Sequence, residues 1–152
     1  MYPNTRIDKI SLINFKNHLN TNLKDLGSFV VLNGNNGSGK TNILEAISLF
    51  SPGRGIKNSR FVEMPNKDKD QKNFKIKINV KYDTGEVELF RSFSSVEKNK
   101  NYISVDNEKI TNFQLLEFIN ILWITPIMEK VLIQSNSEKR NFFDRLIFNI
   151  NK

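Results

Sequence analysis

Cysteine is absent and histidine occurs once, at His18, among the 152 residues. The first absence excludes disulfides and cysteine-ligated zinc; the second excludes histidine-paired catalysis and multi-histidine metal centres. No apolar run approaches the roughly 18 residues of a membrane-spanning helix, and the N-terminus carries no signal-peptide apolar core. No membrane partner and a cytoplasmic location are therefore expected. Acidic residues are also short, 16 against 23 Lys and Arg, which leaves a net charge of +7. That excess favours an anionic partner, nucleic acid first, although a Lys- and Asn-rich codon bias gives the same balance. What is present is 38% hydrophobic residues with 12 Phe, enough for one packed core rather than a disordered chain. No repeat or low-complexity linker is visible.

The chain is organised around Gly34-Asn35-Asn36-Gly37-Ser38-Gly39-Lys40-Thr41. These eight residues fit the phosphate-binding P-loop pattern G-x-x-x-x-G-K-[ST] at every fixed position. Phe29-Val30-Val31-Leu32 before them predicts a strand buried on both faces, and Ile43, Ala46, Ile47 and Phe50 after them recur at helical spacing. Glycines let successive backbone N–H groups turn inward around a polyphosphate, and the following helix adds the positive end of its dipole. In this pattern Lys40 reaches the β/γ-phosphates of ATP and the Thr41 hydroxyl ligates Mg²⁺.

Around the loop the sequence predicts a first strand over 6–15, then a polar connection from Asn17 to Gly27 with Leu19, Leu23 and Leu26 as core contacts. The P-loop helix is expected to stop at Ser51-Pro52-Gly53. Residues 53–73 read as a long, mobile, basic loop holding Arg54, Lys57 and Arg60. Strict alternation over 74–82 predicts a strand, and a hairpin follows with Val80 facing Leu89, Tyr82 facing Val87 and Thr84-Gly85 as its loop. A third strand over 102–105 completes an antiparallel meander. Thr111 to Gln114 fits a capping box opening a helix through about Ile119. Residues 121–124 read as another buried strand, and Thr125-Pro126 as a helix start. In a last helix, capped by Ser135 or Ser137, Phe142, Phe143, Leu146, Ile147 and Ile150 form an apolar stripe, with Lys139, Arg140 and Arg145 off it.

A complete P-loop ATPase also needs an apolar strand ending in Asp to help hold Mg²⁺. Residues 121–124 run into Thr125-Pro126 instead, and the strand ending at Asp83 carries lysine inside it. The ABC signature serine motif is absent, and Asn66-Lys67-Asp68-Lys69 fails the guanine-specific N-K-x-D. The chain thus holds nucleotide-binding parts without a hydrolytic set, and no catalytic residue is assigned.

The arrangement resembles the N-terminal part of the RecF family, SMC-like DNA repair ATPases of bacteria. Leu12-Ile13-Asn14-Phe15-Lys16-Asn17 is similar to that family's L-x-N-F-R-N, with Lys16 in place of Arg. The P-loop running into Asn42-Ile43-Leu44-Glu45-Ala46-Ile47 matches G-K-T-N-L-L-E-A-I. Ser51-Pro52-Gly53-Arg54-Gly55 is similar to S-x-G-R. Leu122-Trp123-Ile124-Thr125-Pro126 with Lys139-Arg140-Asn141-Phe142-Phe143-Asp144-Arg145 is similar to W-L-T-P … R-R-x-F-L-D-R. The first two blocks occur across SMC-like ATPases; the last two together point to RecF.

The resemblance implies an α/β fold, the N-terminal lobe of an ABC/SMC-type ATPase head. It has a mixed sheet, an antiparallel meander and the start of a helical lid. Residues 1–134 would form the ATP-binding lobe and 135–152 the truncated start of the lid. It further implies ATP-dependent homodimerisation, binding of single-stranded DNA and of junctions between single-stranded and duplex DNA, and a part in the SOS response. Recombination mediator proteins would be loaded at such junctions. SMC-like heads place a DNA-sensing arginine after the P-loop helix, which makes Arg54, Lys57 and Arg60 candidate DNA contacts beside an ordinary solvated loop. Lys139 replaces the first Arg of the R-R pair, and Gln134-Ser135-Asn136 replaces a glycine turn, so the lid connection departs from the family pattern. Two other readings stand beside this one. A small P-loop phosphotransferase is disfavoured by the meander, and a binding remnant no longer using ATP is disfavoured by the intact loop.

Overall fold

The computed structural model describes residues 5–68, 72–97, 99–126, 139, 140, 143, 144 and 147. Six strands form one sheet in the order β2-β1-β3-β4-β5-β6: β1 Arg6–Phe15, β2 His18–Leu23, β3 Asn73–Tyr82, β4 Gly85–Ser94, β5 Lys100–Val105 and β6 Glu108–Lys109. Every pairing among them is antiparallel. Alternation along the strands decides the faces. Ile10, Leu12, Phe74, Ile76, Ile78, Val80, Leu89 and Phe93 point into one core, where Ile43 and Ala46 of the helix α1 (Lys40–Ser48), with Leu49 and Phe50 just after it, meet them. Phe61, Phe74 and Phe93 stack at 6.0–6.3 Å, and Phe15 meets Phe74 edge-on at 5.3 Å. The first strand, the meander and the helix all follow the sequence pattern. α1 ends three residues before Ser51, and Leu49 and Phe50, just beyond it, stay in the core.

Several expectations need correction. The polar connection after β1 contains the strand β2, of which Leu19 is 53% exposed, while Leu23 and Leu26 do pack on the core. In the hairpin Val80 faces Val87, Tyr82 faces Gly85 and Ile78 faces Leu89, which leaves Asp83-Thr84 as the loop. The expected register was off by two residues, a slip that keeps every side chain on its face and so leaves the apolar pattern blind to it. Thr111 and Gln114 do form a capping box (Thr111 N–H to Oε1 at 2.9 Å, Gln114 N–H to Oγ1 at 3.2 Å). It opens only a 3₁₀ turn, Gln114–Glu117.

Residues 29–32 and 121–124 were expected to be buried strands; neither is a strand. Phe29 is 85% exposed and Ile124 80%, with only Trp123 of the second run buried. Apolar composition does not make a strand without a neighbour to accept its backbone hydrogen bonds, and none runs beside either segment among the described residues. The described part of the 53–73 loop is anchored rather than free. Met64 O accepts from Lys16 N–H at 2.7 Å, Asn66 N–H donates to Asn14 O at 2.8 Å, and Phe15 bridges to Pro65. Lys139, Arg140, Phe143, Asp144 and Ile147 are helical. The helix start at Thr125-Pro126 and the rest of the last helix's stripe lie outside the described residues.

Candidate functional site

Gly34 to Thr41 lead directly into the first turn of α1. Gly37 and Gly39 have φ of 83° and 97°, the left-handed region that a side chain disfavours, so the loop's path needs glycine there. No side chain caps α1 at its N-terminal end and no acidic residue occupies its first turn. That end therefore keeps its partial positive charge for an external anion. Asn35, Asn36, Gly37, Ser38 and Thr41 are exposed and Gly39 is buried. The Lys40 ammonium curls back over the loop and donates to Gly34 O at 2.7 Å and Asn35 O at 2.8 Å. Both contacts are ones that phosphate oxygens can replace, so the cation is already held at the mouth of the cradle. All eight sequence-assigned residues are brought together.

The candidate DNA residues are placed less simply. Arg54 is exposed. Lys57 Nζ lies 3.0 Å from one carboxylate oxygen of Glu45 and donates to Asn42 Oδ1 at 2.9 Å. Arg60 pairs with Glu63 at 2.7 Å, and the double hydrogen bond from Arg60 holds the Glu63 carboxyl below its usual range. Glu45 itself was missed as an organising residue. It is fully buried on α1, with Lys16 Nζ at 3.6 Å and Lys57 at 3.0 Å, and neither contact has hydrogen-bond geometry. A carboxylate between Ile43 and Ala46, on the apolar face of a predicted helix, was the signal for it. Ser48 closes the other end of the same loop by accepting Ile56 N–H at 2.9 Å.

Between the β1–β2 turn and the segment after Val62 lies a cleft of about 850 Å³ lined by Lys16, Asn17, Val62, Glu63, Pro65 and Asn66, among others. Asn17 also reaches the P-loop, since its amide donates to Gly37 O at 3.1 Å. Among the described residues no group of three or more His, Asp or Glu is placed to hold a metal ion. Thr41, the residue the sequence pattern assigns to Mg²⁺, is exposed in the first turn of α1.

With that geometry in place, comparison with known proteins is decisive. The AAA ATPase domain family matches residues 6–150. The chain belongs to that family. It is also 36% identical over 146 residues to the DNA replication and repair protein RecF of Rickettsia prowazekii (strain Madrid E), covering 96% of this chain and 40% of that protein. The RecF of Rickettsia felis is 35% identical over 146 residues, with 96% and 39% covered. Among solved structures, the recombination mediator protein RecF-ATPrS superposes with a TM-score of 0.84 at 23% identity, over 97% of this chain and 39% of that one. An SMC ATPase studied for ATP-driven dimerization and DNA-stimulated activation gives a TM-score of 0.67 at 22% identity, over 92% of this chain and 98% of that one. The resemblance to the N-terminal part of RecF and the fold of an ATPase-head lobe therefore hold. The chain spans about 40% of the length of the RecF relatives it matches.

Proposed function

We propose that this AAA-family chain is the ATP-binding part of a RecF-like DNA replication and repair protein. ATP, with Mg²⁺, occupies Gly34, Asn35, Asn36, Gly37, Ser38, Gly39, Lys40 and Thr41, with Thr41 as the metal's protein ligand. The observation that carries this is the complete P-loop at an uncapped helix end, with the Lys40 ammonium already poised over it. Residues 1–134 act as the nucleotide lobe and 135–152 begin a helical lid. Arg54, with Lys57 and Arg60, meets phosphates of single-stranded DNA or of single-strand/duplex junctions in the cytoplasm. ATP-dependent homodimerisation and recombination mediator proteins complete the reading.

The test is calorimetric titration of MgATP into the parent chain and into Lys40→Ala. Loss of the charged hydrogen bonds should cost about 1.5–3 kcal/mol, a Kd weaker by roughly 10- to 150-fold. Equal affinity for the two proteins would sink the assignment.

A further inference from the structure

Asn17 and His18 stand directly behind the phosphate loop, on the turn that joins β1 to β2. The Asn17 amide donates to Gly37 O at 3.1 Å, and His18 Nε2 lies 3.1 Å from Gly39 O. A carbonyl oxygen only accepts, so Nε2 carries the proton, and Nδ1 pairs with the Thr21 hydroxyl at 2.9 Å. His18 is buried, and a Cβ built on Gly39 would lie 2.5 Å from its Nε2 and 2.7 Å from the Asn17 side chain. The contact is thus close as well as hydrogen-bonded. Asn17 is itself held by Asn42 of α1, whose amide donates to its Oδ1 at 2.8 Å. The turn is fixed from its far side too, where Asn66 Nδ2 donates to Lys16 O at 2.7 Å and Lys16 N–H donates to Met64 O.

We propose that Asn17 and His18 are positioning residues of the phosphate loop, setting the direction of its peptide groups before a nucleotide arrives. The argument is one of peptide geometry. In a trans peptide the carbonyl of one residue and the N–H of the next point in opposite directions. Anchoring Gly37 O behind the loop therefore turns Ser38 N–H away from the turn, towards the side an anion would occupy. Gly39 O already accepts from Asn42 N–H at 2.8 Å and Ile43 N–H at 3.1 Å in the first turn of α1, and His18 adds a third donor that holds the Lys40 N–H in the same direction. Ser38 N–H meanwhile makes a 3.2 Å bond to Asn35 O, one that a phosphate oxygen can replace. A loop held this way loses less conformational freedom on binding, which strengthens binding without any contact between the two side chains and the ligand.

The inference rests on the nucleotide reading, and the experiment separates the two. Asn17→Ala, His18→Leu and His18→Gln are compared with the parent in two measurements. One is the Kd for MgATP; the other is the backbone amide spectrum of the ligand-free chain. Asn17→Ala and His18→Leu should each weaken MgATP about tenfold, and should move the Ser38 and Lys40 amide resonances while leaving Ile78 and Leu89 in place. His18→Gln, whose amide nitrogen can replace the Nε2 donor, should stay within about twofold of the parent. Unmoved Ser38 and Lys40 resonances would overturn the proposal, as would shifts spread equally over Ile78 and Leu89. So would a His18→Gln variant as weak as His18→Leu. Failure of the parent itself to bind MgATP would sink the nucleotide reading, and the amide shifts of the free chain would still decide the brace.

Discussion

Ile76, Ile78, Val80 and Leu89 of the meander are wholly buried, whereas Phe29 and Val31, just ahead of the phosphate loop, are 85% and 72% exposed. Both stretches are apolar. They differ in hydrogen bonding: each meander strand has a neighbour on at least one side, and residues 29–32 have none among the described residues. Stability resides in the sheet, and the chemistry sits on a segment that adds little to it. The loop takes its shape instead from single side chains reaching across, Asn17 and His18 above all. Such a division lets a binding loop exchange its hydrogen bonds for a ligand's without disturbing the core.

Truncation tests this division with the largest expected effect. Ile76→Ala should destabilise the chain by about 2–5 kcal/mol in denaturant unfolding, because it opens a cavity in a filled core. Phe29→Ala should stay within about 0.5 kcal/mol of the parent. Similar losses at the two positions would break the comparison and would mean that residues 29–32 are part of the folding unit.

A second test concerns a buried charge on the sheet. Arg91 is buried on β4, its guanidinium 5.5 Å from the centre of the Phe61 ring and hydrogen-bonded to Asn112. Burial pushes its pKa down to about 10. A base lowered in the folded state costs stability wherever it is charged there, so the handicap is complete below about pH 10. It fades as pH rises from there towards the unfolded value, where the unfolded chain binds more protons. Asn112→Ala should cost about 1.5 kcal/mol, since it removes a partner from that cation. In an Arg91→Met background the same change should cost less than about 0.5 kcal/mol, and the parent should gain on Arg91→Met above pH 10. An Asn112→Ala loss of equal size in both backgrounds would show that Asn112 acts through the backbone of its turn.

The contrast also explains what could be read from the sequence. β1, the P-loop, α1 and the meander were legible because each carries its own signal: an alternation, a fixed motif or a helical period within one window. Residues 29–32 and 121–124 were misread because an apolar run states a preference for burial and says nothing about which strand, if any, lies alongside. The hairpin register escaped because a two-residue slip preserves the faces. At the site, spacing alone singles out the eight P-loop residues as candidates. Glu45, Asn17 and His18 as organising residues were not legible, because their partners are 12 to 29 positions away in the chain and only folding brings them together.

The smallest expected effect lies in the basic loop, where geometry divides three residues that composition treats alike. Lys57 is committed to Glu45 and Asn42, and Arg60 to Glu63, so Arg54 is the side chain of the three most open to a phosphate. Counterion release makes log K for single-stranded DNA fall with log salt by about 0.7 for each phosphate neutralised. Arg54→Ala should therefore flatten the measured slope by about 0.7, and Lys57→Ala by clearly less. Replacing all three should flatten it by no more than about 2. Glu63→Gln offers the converse, because it releases Arg60 and should steepen the slope by up to about 0.7. Since the Arg60 bonds hold the Glu63 carboxyl below its ordinary range, the pair stays ionised throughout pH 6–8 and the slopes should not change across that window. Equal flattening by Arg54→Ala and Lys57→Ala would mean that DNA draws Lys57 away from Glu45. The basic loop would then open on binding, and its buried carboxylate would be left with Lys16 alone.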